Sequence, residues 1–366
     1  MQNYLKCFTY TSATRLSRRS LCLAGLGMIS VGASLNIRHV VGASSRAASP
    51  DNHLLLTRQN SHSTALAWSR DGGWIVSGGK TSPVEVWDVS TGKTRASLTA
   101  RDGVLLDCSP DGRHIVTAGG IEVGDASSST AGLPQTFSEV VIWDAASGAR
   151  LVTYNGMSYI NAVAWSPDGT RIALVGSDAD GATIHVCDAL AGTLLLAYRQ
   201  HVASRLAWSP DSRQIVSSID SIIGGVFTRT TRIWDSVTGH DSVVLNNSAN
   251  ALSWSPDGRF IACGDAEVIT LRDARTGSVT TSYKTNNDQA PVLGVAWSPD
   301  GRFIACVGGS PQFPDPKGFV QVLEQATGQV TSFHGHKVTV AALAWSPDSS
   351  RLASSSYDET IRIWHI

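Results

Sequence analysis

The chain has 366 residues, of which 29 are lysine or arginine and 30 are aspartate or glutamate, so its formal net charge at pH 7 is -1. Charged residues make up 16% of the sequence, and lysine and arginine are scattered singly rather than clustered. Because direct binding of nucleic acid needs a basic surface, this composition predicts no nucleic-acid partner.

The first fifty residues show the charged, then apolar, then small order that is typical of a secretory signal. Arg18 and Arg19 precede an apolar stretch from Leu21 to about Leu35, and small residues follow at 41–43 and 45–47. The paired arginines, with serine before them and leucine after, resemble a twin-arginine export signal. The apolar stretch is shorter than the about 20 residues that a membrane span needs.

We therefore expect residues 1–47 to be a signal peptide, cleaved after Ala43 or Ala47, and residues 48–366 to be the exported domain. The predicted location is the cell envelope or the extracellular space, with no stable membrane span. Retention of the leader as an uncleaved anchor is one alternative, and a cytoplasmic protein is another.

From about residue 52 onward, one short phrase recurs seven times: an apolar run, then Trp-Ser-Pro-Asp-Gly or a variant of it, then an apolar strand. From the first copy the steps are 40, 57, 43, 46, 43 and 48 residues. Self-similarity at this period indicates a repeat architecture. The phrase is headed by a tryptophan in six repeats and by a cysteine in the second: Trp68, Cys108, Trp165, Trp208, Trp254, Trp297 and Trp345.

A second phrase follows each first one and consists of an apolar strand that ends in Trp-Asp or a relative and turns through Thr-Gly. The Pro-Asp-Gly and Thr-Gly sequences favour tight turns between short β-rich runs. No long amphipathic helix pattern appears after residue 50. Clear copies end at Trp87-Asp88, Trp143-Asp144, Trp234-Asp235 and Trp364-His365, and weaker copies at Cys187-Asp188, Arg272-Asp273 and Leu323-Glu324.

These residues resemble the WD40 family, and the match covers roughly residues 52–366. The resemblance implies an all-β fold, a seven-bladed β-propeller with one four-stranded blade per repeat of about 40–45 residues. A single small blade cannot bury both of its faces, whereas a closed ring of blades can. We expect one closed domain and have no reason to expect an oligomer, so the prediction is a monomer.

The ring must also close, and the sequence indicates how. The chain ends on 360–364, the third strand of the last blade, so the fourth strand of that blade is missing at the C-terminus. An apolar run at 53–57 stands before the first repeat without a blade of its own. We predict that it completes the seventh blade beside the C-terminal strand, which removes the open sheet edges that invite aggregation.

His336 follows a glycine and matches the Gly-His pair that opens a well-formed WD40 repeat. The resemblance implies that this histidine bonds an aspartate in the turn between the second and third strands, and that a serine or threonine and the third-strand tryptophan complete the network. The matching residues are Asp358, Ser354 and Trp364. Because the family uses the network to brace a blade, we interpret it as structural and not as a catalytic dyad.

Other chemistry-bearing residues also have structural interpretations. Ten of the 11 tryptophans occupy the two repeated positions, which leaves Trp74. Cys263 and Cys306 hold equivalent places in consecutive blades, too far apart for a disulfide, and are interpreted as buried fillers. No CxxC pair, glycine-rich phosphate loop or nucleophile elbow occurs, so we expect no metal, no cofactor, no catalytic residue and no enzyme. The turn aspartates, one per repeat, are interpreted as turn caps: Asp71, Asp111, Asp168, Asp211, Asp257, Asp300 and Asp348.

The connection between the second and third strands varies most among the repeats, and it is long at 119–138, 220–228 and 308–318. In a propeller these connections emerge on one face, and loops commonly carry binding residues. Exposed apolar residues on such loops would mark a contact patch. The candidates for a partner-binding face are Ile222, Ile223, Val226 and Phe227 in the fourth repeat and Pro311, Phe313, Pro314 and Pro316 in the sixth.

The sequence therefore predicts a non-catalytic scaffold that binds a protein partner through this face. Insertions tolerated without function are one alternative. A propeller that binds a small molecule or glycan at the mouth of the channel, and so could be an enzyme, is another. Its polar candidates are few and spread over several blades: Glu122, Asp125, Asp220, Asp265, Asp315 and Lys317.

Overall fold

Short β-strands form all of the regular secondary structure in the part of the chain that the computed structural model describes, namely residues 45–47, 53–59, 63–79, 82–100, 105–121, 137–199, 203–223, 226–245, 249–285, 290–310 and 317–366. These residues contain 29 strands in seven sheets and belong to a unit that spans His39–Ile366. The signal residues Arg18 and Arg19 lie outside the described ranges.

Two strands precede the first complete blade: β1 (Ser45–Ala47) and β2 (Leu54–Gln59). Blade one contains β3 (Ala65–Trp68), β4 (Trp74–Gly79), β5 (Ser82–Asp88) and β6 (Thr94–Leu98). Blade two contains β7 (Leu105–Cys108), β8 (His114–Ile121), β9 (Phe137–Asp144) and β10 (Arg150–Tyr154). Blade three contains β11 (Tyr159–Trp165), β12 (Arg171–Asp178), β13 (Gly181–Asp188) and β14 (Leu194–Tyr198).

Blade four contains β15 (Arg205–Trp208), β16 (Gln214–Ile223), β17 (Val226–Asp235) and β18 (Asp241–Leu245). Blade five contains β19 (Ala251–Trp254), β20 (Phe260–Asp265), β21 (Val268–Asp273) and β22 (Val279–Lys284). Blade six contains β23 (Val292–Trp297), β24 (Phe303–Ser310), β25 (Lys317–Glu324) and β26 (Val330–Phe333). Blade seven contains β27 (Val340–Trp345), β28 (Arg351–Ser356) and β29 (Thr360–His365), joined by β2.

The first strand of every blade lies at the centre of the ring, because it contacts the first strands of both neighbouring blades. The contact between β3 and β27 closes the circle. The fold is a seven-bladed β-propeller, as the sequence predicts.

The predicted closure is confirmed, because β2 pairs antiparallel with β29 as the outer strand of blade seven. The paired residues run from Leu54 opposite Trp364 to Gln59 opposite Thr360. One blade thus combines strands from near the start and from the end of the described chain. The ring therefore cannot open within blade seven between β2 and β29 without breaking the hydrogen bonds of this ladder.

The strand β1 pairs in parallel with β26, so blade six has five strands in the order β1-β26-β25-β24-β23. The register places Ser45 opposite Val330 and Ala47 opposite Ser332. These three residues fall at the end of the predicted signal peptide, 1–47, whose other residues lie outside the described ranges.

The Ser-Pro-Asp-Gly turns share one hydrogen-bond pattern in all seven blades. In blade one the Asp71 carboxylate accepts the Ser69 hydroxyl at 2.6 Å and the Gly73 amide at 2.9 Å. The last turn position has positive φ, which suits Gly72 (+66°) but is adopted by Ser212 and Ser349 (both +61°) in blades four and seven. Both serine hydroxyls accept an amide from the preceding blade, Asp168 N at 2.9 Å and Asp300 N at 3.1 Å.

The tryptophans that head the repeats fasten neighbouring blades through their indole N–H groups. Four of them donate to the carbonyl of the residue that precedes the equivalent tryptophan in the previous blade; in blade one, Trp68 donates to Ala344 O at 2.9 Å. Among the described residues the indole N–H groups of Trp165 and Trp297 have no hydrogen-bond partner. For these two tryptophans, the residue at the equivalent position in the previous blade is polar, and its side chain accepts the tryptophan backbone N–H instead: Asp107 at 2.8 Å and Ser253 at 3.0 Å.

Asp107 therefore places a carboxyl group where most blades have alanine. Burial raises its pKa to about 6, although hydrogen bonds from the backbone N–H groups of Trp165 and Cys108 act in the opposite direction. Because the folded-state pKa lies above the ordinary value, the neutral carboxyl stabilises the fold below about pH 4. That stabilisation is lost as the pH rises through about 6.

We expect Asp107→Asn to raise the free energy of unfolding at pH 7.5 by about 1–2 kcal/mol, since a partly exposed side chain shows less than the full effect of its pKa shift. At pH 4.5 the same substitution should change it by less than about 0.5 kcal/mol. Denaturation with urea at the two pH values measures both quantities. Ser253→Ala is the matched control, because serine does not titrate there and its effect should be equal at both pH values. Equal effects of Asp107→Asn at the two values would show that Asp107 is ionised throughout.

Candidate functional site

The rim of the propeller that carries the connections between second and third strands differs strongly from blade to blade, and we call it the long-connection rim. Blades three and five join these strands through two residues, after Asp178 and after Asp265. In blade two β8 continues to Ile121 and β9 begins at Phe137, so residues 122–136 lie between them. In blade six residues 311–316 lie between β24 and β25.

The prediction of a long loop at 220–228 is wrong. Ile222 pairs with Phe227 and Ile223 pairs with Val226, so these residues extend the β16–β17 hairpin up to a two-residue connection at 224–225. The physical reason is that β-branched and aromatic residues flank a Gly-Gly pair, which is a strong hairpin signal. The predicted connections in blades two and six are likewise shortened at both ends by strand residues.

The blade-four hairpin is the longest element of this rim among the described residues. Its ladder runs for ten pairs, from Gln214–Asp235 to Ile223–Val226. The matching ladder has eight pairs in blade three and six in blade five. At about 3.3 Å per residue, the hairpin projects about 7–13 Å beyond its two neighbours.

The other candidates for the partner-binding face, Pro311, Phe313, Pro314 and Pro316, lie outside the described residues. Of the polar candidates for a small-molecule site, Glu122, Asp125 and Asp315 also lie outside them. Asp220 falls in β16, Lys317 begins β25, and Asp265 ends β20, where its carboxylate accepts Asn250 Nδ2 at 3.3 Å. Asp220, Asp265 and Lys317 are thus on three different blades.

His336 lies at the same rim, in blade seven. Its imidazole hydrogen-bonds Asp358 and Ser354 directly and is linked to Trp364 through Ser354. Its Nδ1 is 3.1 Å from Asp358 Oδ2, and its Nε2 is 2.8 Å from Ser354 Oγ. Trp364 Nε1 donates to the same serine oxygen at 2.8 Å. The imidazole and the carboxylate are 1% and 5% exposed, too little for a substrate to reach them.

The Asp358 carboxylate is held in its ionised form. Burial raises its pKa, but hydrogen bonds from His336, from the Thr360 hydroxyl and from the Lys337 backbone N–H outweigh burial and hold the pKa well below its usual range. The network braces the turn between β28 and β29 on the rim, and each of its residues has a structural hydrogen bond there.

We expect His336→Ala to lower the free energy of unfolding by about 1–3 kcal/mol, because a buried carboxylate loses a hydrogen-bond donor. Chemical denaturation followed by tryptophan fluorescence measures the change. His334→Ala is the matched control, since His334 is exposed. A His336→Ala protein as stable as the parent would show that the imidazole contributes nothing to the brace.

Blade three has a different network, which sequence reasoning missed. The Tyr154 hydroxyl of blade two lies 2.7 Å from His185 Nδ1, and His185 Nε2 lies 2.8 Å from Asp178 Oδ2. The Arg199 guanidinium binds both oxygens of Asp178, at 2.9 and 2.6 Å, and holds the pKa of that carboxyl well below its usual range. His185 is only 2% exposed, and burial lowers its pKa. The cluster therefore fastens blade two to blade three.

A covariation among the repeats was also missed, although it is readable in the sequence. In four blades the third-strand tryptophan donates its indole N–H to a serine or threonine on the second strand: Trp87 to Ser77, Trp143 to Thr117, Trp234 to Ser217 and Trp364 to Ser354. In the other three blades both partners change together. The pairs at these positions are Cys187 with Leu174, Arg272 with Cys263 and Leu323 with Cys306.

The cysteines at these positions are free and buried. Burial raises the pKa of Cys263 to about 11 and that of Cys306 to about 12. Thiols with such pKa values carry almost no thiolate near neutral pH, so they are poor nucleophiles and poor metal ligands. Within the described ranges, no three histidine, cysteine, aspartate or glutamate side chains are grouped so that they could hold a metal ion. None of the described residues forms a helix of the length and apolarity needed to cross a membrane.

Comparison with known proteins agrees with this architecture. The family model described as "WD domain, G-beta repeat" matches residues 148–186, 232–269, 277–310 and 327–365. Together with the seven blades, these matches make the fold a β-propeller of the WD40 type.

Several curated proteins are similar to the chain at low identity. "Cell division cycle 20.1, cofactor of APC complex" of Arabidopsis thaliana is 26% identical over 304 residues, which cover 77% of this chain and 59% of the relative. "Serine-threonine kinase receptor-associated protein" of Gallus gallus is 24% identical over 226 residues, 61% of this chain and 59% of the relative. "Eukaryotic translation initiation factor 3 subunit I" of Lodderomyces elongisporus is 23% identical over 334 residues, 82% of this chain and 89% of the relative. The chain thus matches about three fifths of the length of the first two.

Proposed function

We propose that this protein is an exported, non-catalytic scaffold that binds a protein partner through the long-connection rim of its propeller. The observation that carries the proposal is the blade-four hairpin. Its ladder continues for four pairs beyond that of blade five, and those pairs contain Ile222, Ile223, Val226 and Phe227. The four extra pairs lie between the second and third strands of the blade, whereas the first strands link each blade to both of its neighbours.

The contrast between the two rims supports the same proposal. On the opposite rim, seven turns of one design use their serine and aspartate side chains to hold themselves, with Ser–Asp contacts of 2.5 to 2.6 Å. On the long-connection rim, the connection has 15 residues in blade two and six in blade six, but only two in blades three, four and five. Variable connections on a rigid ring are the usual location of binding residues.

The names of these relatives also favour a scaffold. One is called a cofactor of a complex, one a receptor-associated protein and one a subunit of an initiation factor. We extend only the general property, participation in a protein assembly, to this chain. The buried histidine and thiol groups described above offer no accessible nucleophile or base, which supports the non-catalytic part of the proposal.

The experiment compares the full-length chain with a variant whose blade-four hairpin is trimmed. Removal of residues 220–223 and 226–229 leaves Ile219 and Thr230, which are already paired, joined by Gly224 and Gly225. Both proteins would be tagged at the C-terminus and cross-linked in envelope extract. We expect a specific partner to be recovered at least tenfold less with the trimmed ring, whose thermal unfolding should stay within a few degrees of the parent.

A second variant separates shape from apolarity. Ile222→Thr with Phe227→Thr keeps residues of high strand propensity and removes apolar side chains. Partner recovery that is unchanged in both variants would contradict binding through this hairpin. Recovery that falls only on trimming would assign recognition to the backbone or to the length of the hairpin.

Export is proposed from the paired arginines and the apolar stretch after them. Replacement of Arg18 and Arg19 by lysine should abolish transport if the leader uses the twin-arginine route. The distribution of the protein between cytoplasm and envelope fractions measures this. Unchanged export would remove the twin-arginine argument, and a wild-type protein found only in the cytoplasm would overturn the location.

A further inference from the structure

The outer strand of blade six differs from the outer strands of the other six blades. In those six blades the ladder between third and outer strand contains a register shift, and one residue of the outer strand has no partner. The skipped residues are Arg95, Leu151, Leu195, Ser242, Thr280 and Leu55. In blade six the ladder from Leu323–Val330 to Val320–Phe333 is continuous.

The difference follows from the number of residues between the turn glycine and the end of the outer strand. In blades one to four, the last residue of the outer strand lies six positions after the turn glycine, as Leu98 lies after Gly92, and in blade five it lies seven positions after it. In blade six, Gly328 and Phe333 are only five residues apart. The blade-six strand thus lacks the residue that forms the bulge elsewhere.

A bulge at an edge has a known physical effect. It bends and twists the strand and interrupts the regular alternation of N–H and C=O groups, which disfavours pairing with another strand. Six outer edges of this propeller are therefore protected against strand addition. The blade-six edge is not protected, and it is the edge that carries a fifth strand, β1.

The resident strand is short. It makes three residue pairs with β26, from Ser45–Val330 to Ala47–Ser332. His53, six positions after Ala47, has its ring 5.5 Å from that of Phe333 at the end of β26, and β2 follows at once. Because β1 and β2 belong to one chain and start only nine positions apart, β1 is held close to the edge at an effective concentration of the order of millimolar.

We propose that the outer edge of blade six is a binding site for an extended segment of a partner protein, which pairs in parallel with β26 in the position that Ser45–Ala47 takes within the chain. Recognition is by main-chain hydrogen bonds, as in other cases of strand addition. The partner segment needs free backbone N–H groups at the pairing positions and so contains no proline there. This site is independent of the long-connection rim.

Processing of the leader would control access to the edge. Cleavage after Ala43 leaves β1 in the mature chain, whereas cleavage after Ala47 removes it and vacates the edge. The two predicted cleavage sites therefore correspond to a closed and an open form of one interaction surface.

The test uses the full chain and a fluorescent peptide with the sequence of residues 42–49. In one variant Ser45, Arg46 and Ala47 are all replaced by proline, which removes every N–H group of β1. We expect this variant to bind the peptide at least tenfold more tightly than the parent, because the tethered competitor is lost. Arg46→Ala keeps all backbone N–H groups and should bind like the parent.

A second change closes the edge. Insertion of one arginine between Val330 and Thr331, in the three-proline background, restores the spacing of blade one and should weaken peptide binding at least tenfold. Thermal unfolding shows whether the ring remains folded, and Thr331→Pro replaces the insertion if it does not. Hydrogen exchange of the β26 amides should be faster in the three-proline variant and slow again when the peptide is added.

Three outcomes would overturn the proposal. The first is the absence of peptide binding to the folded three-proline variant, the second is equal binding with and without the inserted residue, and the third is binding of the chain's own sequence alone. An unrelated strand-forming peptide should also bind, because the recognition is through the main chain. If only the chain's own sequence binds, the edge serves Ser45–Ala47 alone and not a partner protein.

Discussion

Deletion of residues 53–58 should lower the free energy of unfolding by about 3–6 kcal/mol, which corresponds to a fall in Tm on the order of 10 °C. The deletion removes most of the ladder between β2 and β29. Leu54 and Leu56 pack against the apolar clusters on the two sides of blade seven and would be lost with it. Trp364 and Ile363, now buried, would lie at an open edge.

The same deletion breaks a contact between blades seven and one. Arg58 Nη2 donates to Glu85 Oε2 and to Thr94 Oγ1, both at 2.8 Å, and its guanidinium lies 5.0 Å from the centre of the Trp87 ring. Glu85 would lose this partner. The ring would therefore weaken at the junction between blades seven and one.

Urea denaturation followed by tryptophan fluorescence measures the effect. Leu55→Ser is the matched control, because Leu55 occupies the bulge of β2 and is 54% exposed. We expect this control to change stability by less than about 0.5 kcal/mol. A deletion mutant with the parent's midpoint would show that the ring closes without β2.

Trp234→Ala should lower the free energy of unfolding by about 3–5 kcal/mol, the cost of truncating a large core side chain. Trp234 is fully buried in blade four and stacks on Tyr198 of blade three, with ring centres 4.1 Å apart and planes at 1°. Its indole N–H donates to Ser217 Oγ at 3.0 Å. The substitution thus removes packing within a blade, packing between blades and one buried hydrogen bond.

Milder substitutions separate these contributions. Trp234→Phe keeps most of the packing and loses the N–H donor, and Ser217→Ala loses the acceptor; each should cost about 1–2 kcal/mol. In a double-mutant cycle the two should be non-additive by about 1 kcal/mol, because either change alone breaks the same bond. Additive effects would show that the bond contributes nothing to stability and that the covariation of these positions has another origin.

Much of this fold is predictable because its signals are local and repeated. A Ser-Pro-Asp-Gly turn holds itself through its own serine and aspartate, so its sequence alone identifies it. Seven such turns between apolar runs predict the number of blades. The missing fourth strand at the C-terminus and the unassigned run at 53–57 predict how the ring closes.

The segment 220–228 shows a local signal that favours a hairpin over a loop. The Gly-Gly pair flanked by strand-forming residues did indicate a hairpin. A strand extends only where a second strand pairs with it, however, and the turn decides that pairing.

By itself the sequence determined the all-β class, the seven repeats, the turns and the strand that closes the ring, because each depends on residues close together in the chain or on one repeated pattern. Only the tertiary structure decided which distant side chains meet between blades. Tyr154 with His185 and Arg58 with Glu85 are pairs that no repeat specifies. They arise because closure of the ring sets the outer strand of one blade against the next, and that geometry exists only once all seven blades are in place.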